Sequence, residues 1–131
     1  GGPLRADTTN HQGAVIPLPT WATAAILVEG SSIQANVATA PTAASLLLDI
    51  KHSTTAEGSQ TSIFDGTSYP TIATTDTHVN DTSSNDGVID TSPDYTSING
   101  GFLRLYVRQV GSTERGRDLT VTVFAKVHVE F

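Results

Sequence analysis

No cysteine occurs in the chain, which excludes disulfide frameworks, thiolate zinc sites, iron–sulfur clusters and cysteine nucleophiles together. Basic residues are scarce as well, seven against thirteen acids, giving a formal charge of −6. That balance argues against a nucleic-acid partner, because phosphate backbones call for clustered lysine and arginine. Long apolar runs are missing: the longest, residues 24–28 and 46–48, fall far short of the ~20 residues of a membrane-spanning helix, so no membrane partner is expected. Helical periodicity is missing too, the best candidate being the single turn at residues 41–45, and no fixed-period repeat or heptad is present. The spacings that scaffold common catalysis, G-x-S-x-G, the P-loop, G-x-G-x-x-G and H-E-x-x-H, do not occur. His11, His52, His78 and His128 are scattered singly. We therefore expect no enzyme activity, no cofactor and no metal centre.

Present in abundance are hydroxyl side chains: twenty threonines and twelve serines among 131 residues. Threonine is stiff at χ1 and serine competes with helical backbone hydrogen bonds, so both favour strands and turns. A chain of this length builds one domain. Residues 1–20, rich in glycine, proline and polar groups, predict an extended N-terminal arm, and residues 21–131 a single β-domain. Within it residues 21–29 read as a strand. Ile33, Ala35 and Val37 then alternate with polar neighbours, and Leu46, Leu48 and Ile50 oppose a mixed face of Ser45, Leu47, Asp49 and Lys51. Ile63-Phe64 precedes the turn signal Asp65-Gly66, and Tyr69-Pro70-Thr71-Ile72 suggests a brief edge strand. Residues 73–101 predict a long acidic loop, with one short strand at residues 87–90. Leu103, Leu105 and Val107, a turn at residues 111–116, and Leu119, Val121, Val123 and Val127 predict a long terminal hairpin. The expected fold is all-β, an antiparallel two-sheet β-sandwich of jelly-roll type. Its central core is expected from Leu46, Leu48, Ile50, Leu103, Leu105, Val107, Leu119, Val121 and Val123.

Candidate binding residues follow from the same pattern. Arg104, Tyr106 and Arg108 share one strand face, an aromatic ring between two guanidinium groups. With Tyr95 of the loop, such a face suits a carboxylate-bearing sugar, an acidic protein loop or a nucleic-acid strand, the net charge opposing the last. Charge is also unevenly placed: residues 53–103 hold seven acids and no base, whereas residues 104–131 hold five of the seven bases. This predicts acidic loop against basic strand between neighbouring copies. In the arm, Leu4, Val15, Ile16 and Leu18 supply apolar contacts outside any strand pattern, and Pro3, Pro17 and Pro19 limit the entropy lost on ordering. Residues 81–90 place oxygen ligands at short intervals, as calcium requires. An EF-hand register would need glycine at Asp86 and glutamate at Ser92, so a polar loop of Asx turns is expected instead. Asn80-Asp81-Thr82 is formally a glycosylation sequon.

Five stretches together resemble a domain that recurs in virion proteins of tailed bacteriophages. They are Val37-Ala38-Thr39-Ala40-Pro41-Thr42-Ala43-Ala44-Ser45-Leu46-Leu47-Leu48-Asp49-Ile50, then Ser62-Ile63-Phe64, then Pro70-Thr71-Ile72-Ala73, and last Val107-Arg108-Gln109-Val110-Gly111-Ser112-Thr113 with Asp118-Leu119-Thr120-Val121-Thr122-Val123. The resemblance implies an antiparallel β-sandwich serving, without catalysis, as a structural or attachment module of the virion. A capsid decoration (cement) protein is the favoured form. The partners this implies are the major capsid protein and further copies of the chain, in a homotrimer on the capsid surface. A tail-fibre or head-fibre knob binding host glycan through Tyr106, Tyr95 and the loop acids is the alternative. The sequence departs from the pattern in lacking a glycine within Ala43-Ala44 and in carrying Arg104 and Arg108 where acids are common.

Overall fold

Residues that alternate apolar and polar side chains bury one face of a pleated strand, and two such faces closed on each other make a core. The computed structural model describes residues 2–18, 24–27, 33–80, 100–123 and 125–128. Among these residues ten strands and no helix form: β1 (Asp7–Pro17), β2 (Ala24–Leu27), β3 (Ile33–Asn36), β4 (Leu46–Ser53), β5 (Thr61–Ser62), β6 (Thr71–Ile72), β7 (His78–Asn80), β8 (Phe102–Gln109), β9 (Thr120–Val123) and β10 (Ala125–His128). One sheet runs β1-β8-β4-β5 with β6 also on β4; a second runs β7-β3-β9; β2 pairs with β10. All pairings are antiparallel. The fold is an antiparallel two-layer β-sandwich.

The inward faces are the ones the alternation marks. Ile33, Ile50, Ile63, Phe64 and Leu103 cluster at one end of the interior, and Ala35, Val37, Leu46, Leu48, Ile72 and Val107 at the other. Leu105 and Val121 pack against both clusters, while Leu119 and Val123 border one each. These four are half-buried rather than fully enclosed.

Four expectations are corrected, one of them the long loop expected at residues 73–101, within which His78–Asn80 pairs with β3 as strand β7. The N-terminal segment is not a free arm: Asp7–Pro17 is a strand of the larger sheet, with Asp7 opposite Val107, Gln12 opposite Leu105 and Ile16 opposite Leu103. Two register shifts bulge it. At the first, Asp7 Oδ1 accepts the N–H groups of Thr9 and Asn10, both at 2.9 Å, and these bonds hold the half-buried carboxyl below the ordinary carboxylate range, Asn10 contributing most. The terminal hairpin does not form either, since β8 pairs with β1 and β4 whereas β9 pairs with β3 in the other sheet. The link between them docks on the segment before β4: Thr113 N–H donates to Thr42 O, and Thr39 and Arg117 exchange a bridge. Finally, residues 41–45 make a bend, not a helical turn, and Ala43 takes φ = +67°. The expected strand at residues 87–90, the calcium-like stretch at residues 81–90 and Tyr95 lie outside the described residues.

Candidate functional site

β4 and β8 are neighbours in the middle of the larger sheet, with Asp49 opposite Tyr106, Lys51 opposite Arg104 and Ser53 opposite Phe102. Because Leu46, Leu48, Ile50, Leu103 and Val107 point inward, the intervening side chains share the outer face. A face of this composition would ordinarily be wet. Here the segment between β4 and β6 folds over it and β1 crosses beside it.

The result is a set of cation–ring and hydrogen-bond contacts that close on themselves. Arg104 is 8% exposed and donates to Ser53 Oγ at 2.9 Å, to Gln60 Oε1 at 3.2 Å and to the carbonyl of Ala56. Tyr106 is buried, with Lys51 Nζ 4.3 Å from its ring centre. The same ammonium donates to Thr8 O at 3.3 Å, tying β4 to the start of β1. The Arg108 guanidinium stands 4.5 Å from the centre of the Tyr69 ring, and Tyr69 meets Phe64 edge-on. Beneath them Asp49, fully buried, accepts from Ser62 Oγ at 2.6 Å, while its Oδ2 has no hydrogen bond and faces Arg108 Nη1 at 3.8 Å. Burial pushes the Asp49 carboxyl above the ordinary carboxylate range, outweighing the Ser62 hydrogen bond and the nearby Lys51 and Arg108 charges.

Arg104 and Tyr106, singled out as an exposed binding pair, are therefore interior, and only Arg108 of that trio keeps partial exposure. Sequence spacing correctly put the three on one face. It carried no sign that Asp49, Lys51, Ser62 and Tyr69 would cover that face, because those residues arrive through register and a chain excursion. Of the N-terminal candidates, Leu4 and Leu18 pack on the core, Val15 is half-buried, and Ile16 is the exposed one at 48%.

A second feature escaped the sequence reading. Arg5, Arg108 and Arg115 line one open depression of about 530 Å³, together with Gln109, Gly111 and Ser112. Arg5 lies more than a hundred positions from its companions, and nothing in local spacing joins them. Among the described residues, no group of three or more histidine, aspartate or glutamate side chains is placed to hold a metal ion. No protein-family model, curated protein or solved structure matches the chain.

Proposed function

We propose that the chain is a non-enzymatic virion structural protein, a capsid decoration protein that cements the head of a tailed bacteriophage. The observation that carries this reading is where the resembling residues fall. Leu46, Leu48 and Ile50 with Ile63 and Phe64, then Ile72, then Val107, are the buried frame of both core clusters. Gly111 stands where a Cβ would collide with the backbone of Glu114 and lie 2.8 Å from Thr42 N. The resemblance therefore lies in the residues that define the sandwich, and of those that differ, Arg104 and Arg108 belong to the outer face of the larger sheet and Ala43 to the bend before β4.

The physical chemistry of a cement protein suits such a module. Its rigid strands present fixed surfaces to several neighbours at once, and joined weak contacts gain avidity that one small interface lacks. The partners on this reading are the major capsid protein and other copies of the chain, a trimer matching capsid lattice symmetry, and the location is the capsid surface. The fibre-knob alternative drew on Tyr106 as a sugar platform, and the burial of that ring counts against it.

Immuno-electron microscopy of intact particles with an antibody to this chain tests the proposal. Label distributed over heads is the expected result. Label confined to tails would replace decoration by a fibre role, and particles carrying none would overturn the virion reading.

A further inference from the structure

We propose that the depression lined by Arg5, Arg108 and Arg115 is a carboxylate-binding site occupied by the acidic segment, residues 81–99, of a second copy of this chain. The inference rests on the sandwich alone; on the virion reading it supplies the contact between adjacent decoration subunits.

Arg5, Arg108 and Arg115 line the depression and no acid does so among the described residues, while the Arg108 guanidinium itself stands over the Tyr69 ring at 4.5 Å. Each guanidinium carries five donors in a planar fork matched to a carboxylate. Their internal partners leave most of those donors unused. The Arg5 side chain is 71% exposed, with one 3.5 Å contact to Asp7. Arg108 approaches Asp49 at 3.8 Å without a hydrogen bond. Arg115 is exposed and makes no ion pair or side-chain hydrogen bond among the described residues. Its backbone is held: Gly111 N–H donates to Arg115 O at 3.3 Å, in a turn that Thr42 clamps through Glu114 N and Thr113 N. The backbone that carries Arg115 is thus fixed before any anion arrives.

Charge names the occupant. Residues 81–99 contain Asp81, Asp86, Asp90 and Asp94 and no base. Topology places the two anchors of that segment away from the depression. The chain enters that stretch from β7, where Asn80 lies opposite Gln34, and leaves it at Gly100, whose carbonyl is 3.1 Å from His52 Nε2. Both anchors belong to the Ile33–Leu103 half of the sandwich. The arginine depression lies past Gln109, at the other end of β8, about 24 Å along a strand of that length. Anchors at one end and arginines at the other suit a heterologous pair, which closes into a ring when the rotation permits.

Sedimentation velocity of the full chain in about 50 mM and about 1 M salt reads this contact directly. Two folded variants serve, R115E and the fourfold D81N/D86N/D90N/D94N, each checked by circular dichroism. Wild type is expected to self-associate at low salt and dissociate at high salt, and each variant alone to lose the faster species. An equimolar mixture of the two variants, which restores one intact depression and one intact segment, is expected to recover a dimer and nothing larger. Wild type monomeric throughout, variants that associate like wild type, or a mixture that stays monomeric would each overturn the proposal. A monomer that binds hyaluronate through Arg115 would overturn it in favour of an acidic glycan. Head labelling in the microscope with no self-association would remove this inference and leave the decoration reading standing.

Discussion

Asp49 and Arg108 oppose each other at 3.8 Å on the outer face of the larger sheet with no hydrogen bond between them. The carboxylate is enclosed and the guanidinium is 34% exposed, so the cost of dehydration falls mainly on the acid.

That asymmetry gives a pH signature. A carboxyl whose folded pKa is raised binds its proton more tightly in the native state, so its contribution to stability is greatest below the ordinary carboxylate range and is lost as pH rises through the raised value. Asp49→Asn keeps an acceptor for Ser62 and removes the titration. We expect its melting temperature at neutral pH to equal or exceed that of wild type, and the Asp49-dependent gain on acidification to vanish. The comparison is made as a difference between the two proteins, because Asp7, with its lowered pKa, works in the opposite direction and loses stability as pH falls. An Asn variant clearly less stable at neutral pH would contradict this account.

Ala43 occupies the left-handed region at φ = +67°, where an L side chain is strained and glycine is not. It is one of the two positions, Ala43-Ala44, within which the resemblance calls for a glycine. Ala43→Gly is expected to raise unfolding free energy by about 0.5–1 kcal/mol after allowing for glycine's greater freedom in the unfolded chain. Urea denaturation resolves a change of that size.

Leu48 is enclosed between the sheets and Val121 only half so. Leu48→Ala should cost about 3 kcal/mol and Val121→Ala about 1 kcal/mol. Equal losses in equilibrium unfolding would show that the interior is packed differently.

Arg104 closes the segment after β4 by bonding Ser53, Ala56 and Gln60. Arg104→Ala should cost about 1–3 kcal/mol and accelerate amide exchange over residues 53–60. Exchange that stays at the wild-type rate there would mean the segment is held by other contacts.

Deleting residues 1–13 removes the larger part of β1 together with Leu4, which packs on the core. A loss of about 2 kcal/mol or more is expected, with faster exchange of the amides at residues 105–107. A dispensable arm would leave both measurements unchanged.

The strands legible in the sequence were those whose own pattern declares a face. β3, β4 and β8 each carry apolar residues at every second position, and those inward residues are buried except for the half-buried Leu105. β1 does not: Thr8, Thr9, Asn10, His11 and Gln12 offer no apolar stripe, and the strand exists because β8 presents an unpaired edge for it. Its two bulges further scramble any period of two. The supposed terminal hairpin failed for a related reason, since a short turn between two good strands does not reveal whether they share a sheet. The outer face was legible in membership and not in exposure, because Lys51 and Tyr69, which cover Tyr106 and Arg108, are placed by pairing and by the course of the segment after β4.

The position of β8 between β1 and β4 also bears on how the chain acquires its shape. The strand that joins them is made last of the three, so during synthesis β1 and β4 have emerged before the partner common to both exists. Pairing residues near positions 7 and 107 closes a loop of about a hundred residues, whose entropy must be lost before the contact repays it. Folding is accordingly expected to be slow for the size of the domain and to finish only after translation has passed β8. Until then two strand edges are free to meet the wrong chain, and high expression would favour aggregation over the native sheet.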